Sequence, residues 1–315
     1  MSLRIAVIGA GAVGGYFGGR LAQAGVEVAF VARGAHLAAL RTQGLRVASI
    51  AGDFALDRVT ATDQPAEIGP VDYVIVSVKA WQVPEVAPTL GPLLGPETAV
   101  LPLENGVEAA DQLGQVHGPE RVLGGMCRII SFVAEPGLIR HVGATPLVAL
   151  GEFDGRRSER LVRLQEALER AGVSVETPAD IVATLWEKLL FIAPFGGVGA
   201  VARAPIGVIR ALPGTRGLIE RAMHEIHAVG RTRGIRVTND AVTRALAYID
   251  TLPPAGTASL QRDLAAGRPS ELEALIGVVV RHGAAAGVAT PVHAFLHDAL
   301  LPGELRARGQ LQYPA

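Results

Sequence analysis

Arg4-Ile5-Ala6-Val7-Ile8-Gly9-Ala10-Gly11-Ala12-Val13-Gly14-Gly15 is the stretch that decides the fold. A short, mostly apolar segment of strand type runs from Arg4 to Ile8, glycines follow at 9, 11 and 14, and a helical pattern begins at once. The physical content of this spacing is a strand, a tight turn and a helix whose amide N–H groups point at a phosphate. Gly9 permits the turn, Gly11 lets the backbone approach a pyrophosphate, and Gly14 lets the helix sit close to the strand. In a chain with 38 glycines the spacing alone is a weak signal. Its position between a strand and a helix is what gives it force. Gly9, Ala10, Gly11, Ala12, Val13 and Gly14 are therefore candidate cofactor-binding positions, against the plainer alternative of a glycine turn that binds nothing.

Working outward, Tyr16 to Ala24 has the pattern of an amphipathic helix stopped by Gly25, and Glu27 to Ala32 that of a second buried strand. The residue just past that strand selects the cofactor. A carboxylate there would bond the ribose hydroxyls of NAD, whereas a guanidinium forks onto a phosphate. The chain has Arg33 at this point with no acidic neighbour, which favours NADP over NAD, a merely solvated surface arginine being the alternative.

Further along, His36 to Gln43 predicts a short helix, and Arg46 to Thr60 a hairpin about Gly52-Asp53. Val71 to Val78 is almost continuously apolar, as a strand buried on both faces requires, and it ends in Lys79-Ala80-Trp81-Gln82. Ala99 to Leu103 repeats the pattern and ends in Glu104-Asn105-Gly106. Strand ends are where open parallel sheets bind ligands, so Lys79 and Asn105 are expected beside Gly9 and Arg33 at one edge. The competing reading is a loop lysine and a turn asparagine. From Val122 to Leu150, shorter strand patterns about Pro136-Gly137 predict antiparallel additions to the same sheet. Ser158 to Ala171 predicts a capped helix and Val173 to Glu176 a last strand, and Thr177-Pro178-Ala179 is the expected boundary. Residues 1–179 thus form a Rossmann-type α/β domain, and residues 180–315 an all-helical one.

In the helical part, Asp180 to Phe191 predicts a helix in which Lys188 stands among Leu185, Leu189, Leu190 and Phe191. An ammonium against apolar surface loses hydration and releases its proton more readily, which suits a general acid. An ordinary amphipathic lysine reaching water is the alternative. Thr215 to Arg233, Asn239 to Asp250, Ser259 to Ala266 and Ser270 to Ala286 predict further helices, and Pro291 opens a last one. Glu271 falls in a first turn, where the helix dipole favours a carboxylate. His224 with His227, and His293 with His297, lack a third ligand at fitting spacing, so no metal site is expected.

Composition sets the outer bounds. The 315 residues are 49% apolar and 19% charged, enough for two domains with large cores. A net charge of −1 gives no electrostatic case for nucleic acid or an anionic membrane surface. The single cysteine, Cys127, excludes a disulfide framework. No signal peptide is expected, and the apolar stretch Leu189 to Ala202, interrupted by Pro194 and glycines, is expected to be too short for a membrane span. These features predict a cytoplasmic protein.

The fingerprint with Arg33, Lys79 in Val-Lys-Ala-Trp-Gln, Asn105 before glycine, Trp186-Glu187-Lys188, and Ser259 to Asp263 followed by Glu271 together resemble the ketopantoate reductase (2-dehydropantoate 2-reductase) family from end to end. That resemblance implies a second domain like the C-terminal domain of 6-phosphogluconate dehydrogenase, and a cleft that closes to exclude water. It implies NADPH-dependent reduction of a 2-oxo acid, first of all 2-dehydropantoate to pantoate in pantothenate biosynthesis; a homodimer is one assembly open to it. Lys188 would be the general acid. Glu271 would orient the substrate hydroxyl or the cofactor, Ser259 would hold substrate, Asn105 would bridge substrate and cofactor, and Lys79 would lie along the cofactor.

One departure bears on substrate. Family members of the best-known type carry asparagines four and eight residues after the lysine and again soon after, where this chain has Ile192, Gly196 and Ile206. Loss of three amide groups, with space expected at Gly196-Gly197, should alter preference among 2-oxo acids. A more apolar 2-oxo acid is therefore the rival substrate, and a non-catalytic NADP-binding sensor the rival of another class.

Overall fold

The computed structural model describes residues 3–313. The chain divides into two compact units, Met1–Glu104 with Glu108–Ile181, and Asn105–Val107 with Val182–Ala315. Elements of the first are β1 (Arg4–Ile8), α1 (Ala12–Gln23), β2 (Glu27–Val31), α2 (Gly34–Gln43), β3 (Leu45–Ser49), β4 (Phe54–Leu56), β5 (Thr60–Thr62), β6 (Val71–Val76), α3 (Val83–Val86), β7 (Leu94–Pro102), α4 (Ala109–His117), β8 (Gly124–Glu135), β9 (Leu138–Gly151), α5 (Glu159–Arg170) and β10 (Ser174–Glu176).

A five-stranded sheet in the order β5-β2-β1-β6-β7 is parallel throughout. Its inner strands β1 and β6 lack a polar face because both of their faces are covered. Ile5, Val7, Tyr73 and Ile75 enter one apolar cluster, while Ala6, Ile8, Val74 and Val76 enter another with Val83, Val86 and Leu90. Residues 122–150 do not extend this sheet, contrary to expectation. They form a long hairpin, β8 of 12 residues and β9 of 14, turned at Pro136-Gly137. β9 pairs with β3 and β10 along its other edge and so founds a second sheet, β10-β9-β3-β4, with β8 beside it. The hairpin's ladder to β7 is reduced to an isolated bridge between Val100 and Val122, although Gly125 of β8 packs closely on Leu101 and Pro102.

Helix α1 packs against both sheets through glycines on two adjacent stripes. A Cβ at Gly18 would stand 2.8 Å from Val7 and 2.7 Å from Phe30, in the parallel sheet. On the adjacent stripe, a Cβ at Gly15 would meet Ile139 at 3.0 Å, and one at Gly19 would meet Leu45 and Phe54 at 3.0 and 3.1 Å, all in the second sheet. Any larger side chain at these positions would force the helix off one sheet or the other.

The second unit holds α6 (Ile181–Ala202), α7 (Ile206–Ala211), α8 (Pro213–Thr232), α9 (Ala241–Thr251), α10 (Ser259–Ala265), α11 (Val278–Ala286) and α12 (Pro291–Ala307), with a π-helical turn at Glu273–Gly277 leading into α11. α6 runs well past the expected stop at Phe191. Pro194 and the glycines do not end it, because Ala193, Phe195 and Val198 are buried in the apolar cluster that organises the unit. Gly197 faces Ile276 and Leu296, each 2.9 Å from where its Cβ would be, so the glycines admit neighbours instead of opening space. By length and composition α6 could cross a bilayer, contrary to the expectation of too short a span, but 67% of its apolar window is buried inside the protein. Glu225 of α8 accepts from the backbone N–H groups of Val292 and His293 at 2.8 and 3.1 Å, capping α12 from a distance.

In the first unit Glu152, 5% exposed, accepts two bonds from Arg160 at 2.7 Å and one from Ser158 at 2.5 Å. Burial acts to raise its pKa, but the bonds from Arg160 and Ser158 outweigh it and hold the carboxyl below the usual 4.5. A carboxylate held lower in the folded than in the unfolded chain stabilises above the unfolded value and loses that contribution as pH falls through the folded one. Glu152→Gln should lower stability by about 2 kcal/mol at neutral pH and reduce the acid sensitivity below pH 4.5. Urea denaturation across pH reads both, and equal midpoints at neutral pH would show that the pair does not hold α5.

Candidate functional site

The glycine turn is built as its spacing requires. Gly9 has φ +90°, and a Cβ there would press on Val78 at 2.8 Å and the Ser77 carbonyl oxygen at 3.0 Å. Gly11 has open space where its Cβ would stand, and a Cβ at Gly14 would collide with the Gly9 carbonyl and Ser77 Oγ. The first intrahelical bond runs from Gly15 N–H to Gly11 C=O at 2.7 Å, so the preceding first-turn amides of Ala12, Val13 and Gly14 are those a helix leaves for a ligand. Ala10 takes another part: its N–H donates to the Val31 carbonyl at 3.1 Å. Ser77 Oγ donates to the Gly9 carbonyl at 2.9 Å and locks the turn onto the end of β6. These features fit a dinucleotide pyrophosphate.

Arg33 follows β2 as expected and is 66% exposed. Its guanidinium reaches Glu85 at 3.1 Å, a partner that sequence distance concealed. Lys79 follows β6, half-buried, in a tight turn where its N–H donates to Gln82 Oε1 at 3.1 Å and its carbonyl accepts from Gln82 N–H at 2.7 Å. Asn105 follows the carboxyl end of β7, and Asn105–Val107 belongs to the second unit.

There, Asn105 Nδ2 donates to Glu271 Oε2 at 2.8 Å. Glu271 is 5% exposed and lies just before the π turn. The glycine after Asn105 is explained by the same contact: Gly106 has φ +97°, and a Cβ there would come within 2.8 Å of the Ala274 carbonyl oxygen. Sequence reasoning missed the π turn, a feature that recurs at functional sites, and it missed Glu304. That carboxylate, 2% exposed, accepts from Ser270 N–H at 3.0 Å, Ser270 Oγ at 2.5 Å and Arg308 at 2.6 Å. Arg308 in turn donates to the Ser270 carbonyl at 3.1 Å. Both backbone groups of the residue before Glu271 are thereby held. The four-residue spacing of Glu304 and Arg308 was visible, but nothing local shows that it is buried.

Lys188 is half-buried on α6 among buried Leu185, Leu189 and Leu190. The neighbouring Glu187 pairs with Arg244 at 2.8 Å. Lys188, Ile192 and Gly196 follow one stripe of α6. Ile192 is half-buried, and a Cβ at Gly196 would lie 3.2 Å from Leu260 and 3.6 Å from Ala258, the residues on either side of Ser259. The residue itself is half-buried at the start of α10. Ile206 is fully buried in the apolar core, which puts it inside the packing of the helices. Among the described residues no cluster of three acidic, histidine or cysteine side chains could hold a metal. His293 bonds Glu225 at 2.7 Å, and His297 bonds Glu273 at 2.7 Å.

Family models described as "Ketopantoate reductase PanE/ApbA" and "Ketopantoate reductase PanE/ApbA C terminal" match residues 5–155 and 180–304. A 2-dehydropantoate 2-reductase of Mesorhizobium japonicum is 34% identical over 92% of this chain and 94% of its own length. The crystal structure of 2-dehydropantoate 2-reductase from Geobacter metallireducens is similar at TM-score 0.89 and 34% identity, covering 95% of this chain and 99% of that one. A PanE/ApbA family ketopantoate reductase from Ralstonia eutropha gives TM-score 0.89 and 31% identity, covering 97% of this chain and 100% of that one.

Asn105→Ala should cost about 1–3 kcal/mol, the penalty for removing a donor from a buried carboxylate. Asn105→Asp should be worse at neutral pH, where two carboxylates would face each other. Chemical denaturation at neutral pH measures this, and two variants with wild-type stability would show that the bond is not formed.

Proposed function

This chain belongs to the ketopantoate reductase family, and we propose that it reduces a 2-oxo acid to a 2-hydroxy acid with NADPH, 2-dehydropantoate to pantoate being the first reaction to test. Pantoate production would place it in pantothenate biosynthesis. The observation that carries the proposal is Glu271, a carboxylate 5% exposed yet bonded by Asn105 across 166 residues. Two polar groups so placed can accept from and donate to a substrate hydroxyl.

When bound, NADPH supplies hydride to the keto carbon. The electron pair of the carbonyl moves onto its oxygen, and Lys188 stabilises that oxyanion and passes it a proton, leaving an alcohol and a neutral amine. Glu271 and Asn105 orient the substrate hydroxyl, and Ser259 holds the acid. The pyrophosphate is assigned to the first-turn amides of α1, the ribose phosphate to Arg33, and the cofactor's flank to Lys79. Glu85 beside Arg33 opposes a phosphate there, so affinity for NADPH reflects a contest between the two.

A second substrate reading rests on Ile192, which stands one turn from Lys188 on the same stripe where an amide is common in the family. It favours a more apolar 2-oxo acid. A panel of 2-oxo acids ranked by kcat/KM decides, and clear preference for 2-dehydropantoate would reject the apolar alternative.

Lys188→Ala should lower kcat by about 10²-fold or more. Unchanged NADPH oxidation with every accepted substrate would remove Lys188 from catalysis, whereas no turnover of any 2-oxo acid by the wild-type protein would leave a cofactor sensor as the surviving explanation. Arg33→Ala should weaken NADPH binding and spare NADH, while Glu85→Gln should tighten NADPH alone. Equal effects on both nucleotides in titration calorimetry would contradict the phosphate assignment.

A further inference from the structure

His36, half-buried in the first turn of α2, plays no part in the chemistry above, yet it touches the glycine turn. Its Nε2 lies 2.8 Å from the Ala10 carbonyl oxygen, and its Nδ1 lies 3.1 Å from the N–H of Gly137 at the tip of the β8–β9 hairpin. An amide N–H can only donate, so Nδ1 accepts and carries no proton. Nε2 then carries the ring proton and donates it to Ala10. Burial holds the ring below its usual 6.5, against the raising effect of the Ala10 bond, so the neutral tautomer is the one expected at neutral pH.

The Ala10–Gly11 peptide transmits this bond. No cis peptide is present among the described residues, and in a trans peptide the C=O and the following N–H point in opposite directions. Fixing the Ala10 oxygen against His36 therefore turns the Gly11 N–H the other way. Gly9 and Ala10 both donate to the Val31 carbonyl, at 3.0 and 3.1 Å, which leaves Gly11 as the first amide of the turn available to a ligand. Around Gly11 nothing lies within 4 Å of where a Cβ would be.

We propose that His36 is a positioning residue for the dinucleotide: by holding the Ala10 carbonyl against the hairpin tip, it orients the Gly11 N–H for the pyrophosphate. The proposal rests on the dinucleotide-binding role of the turn. Because it concerns the pyrophosphate, it applies equally to NADPH, NADH and ADP-ribose, unlike the phosphate selection by Arg33.

The test is titration calorimetry of all three ligands with wild type, His36→Leu and His36→Gln, together with steady-state kinetics. His36→Leu should weaken all three ligands by a common factor of about tenfold, the loss of one well-aimed hydrogen bond. The KM for NADPH should rise by a similar factor while kcat at saturation changes by less than about twofold. His36→Gln, whose amide offers one acceptor and one donor, should recover most of the affinity. Wild-type affinity in His36→Leu, or a loss confined to NADPH, overturns the proposal alone. A wild-type protein that binds none of the three overturns the dinucleotide role as well. Nitrogen-15 spectra of the wild-type ring provide a check that needs no variant: protonation on Nε2 is expected, and protonation on Nδ1 overturns the proposal.

Discussion

The first unit depends on how closely α1 can approach two sheets at once. Gly14 and Gly18 lie along one stripe of the helix, against β1 and β2, and Gly15 and Gly19 along the next, against β3, β4 and β9. A Cβ at any of the four would stand about 3 Å or less from a buried neighbour, tighter than close-packed interiors allow. The cost of so many glycines in one helix is conformational entropy, roughly 0.5–1 kcal/mol each relative to alanine. It is offset by the apolar surface of both sheets, including Phe30, Leu45 and Phe54, that closes over the helix. A helix clamped in this way also fixes its own first turn, so the amides assigned to a pyrophosphate are preset by packing on residues far from them in sequence.

Three carboxylates, Glu271 and Glu304 buried and Glu225 nearly so, tie segments of the second unit together. Glu225, Glu271 and Glu304 are each held by amide or arginine donors contributed from elsewhere in the chain. An unpaired buried charge would be prohibitive, so each such acid constrains the elements that supply its donors. Glu304 fixes the backbone of Ser270, Asn105 fixes the side chain of Glu271, and the π turn begins soon after it at Glu273. The acid assigned to substrate is thus held by groups on two separate segments, Asn105 after β7 and Glu304 with Arg308 at the end of α12.

Much of this was legible in the sequence. The strands β1, β2 and β6 were readable because burial on both faces leaves nearly uninterrupted apolar runs, and the glycine turn because steric exclusion admits no other residue at Gly9 or Gly14. Ser158 was readable as a cap, and it accepts from the Leu161 N–H at 3.2 Å. Failures came where a local breaker signal met tertiary burial. Pro194, Gly196 and Gly197 look like the end of a helix, yet α6 continues through them because Leu260, Ile276 and Leu296 press against the glycines. Ile206 looked like a lost substrate contact and is instead core, since sequence position does not show which side of a helix faces inward.

By itself the sequence determined the parallel α/β unit, the helical unit after it, the glycine turn between β1 and α1, and the candidacy of Arg33, Lys188 and Glu271. Each rests on local periodicity or on residue chemistry at a fixed spacing. Tertiary structure alone decided that the β8–β9 hairpin builds a sheet of its own, that Arg33 meets Glu85, that Asn105 joins Glu271, and that His36 ties the glycine turn to Gly137. The physical reason is common to all of them. Periodicity records which side of an element is buried, whereas the partner of a polar group is chosen by the packing that brings distant segments within hydrogen-bonding distance.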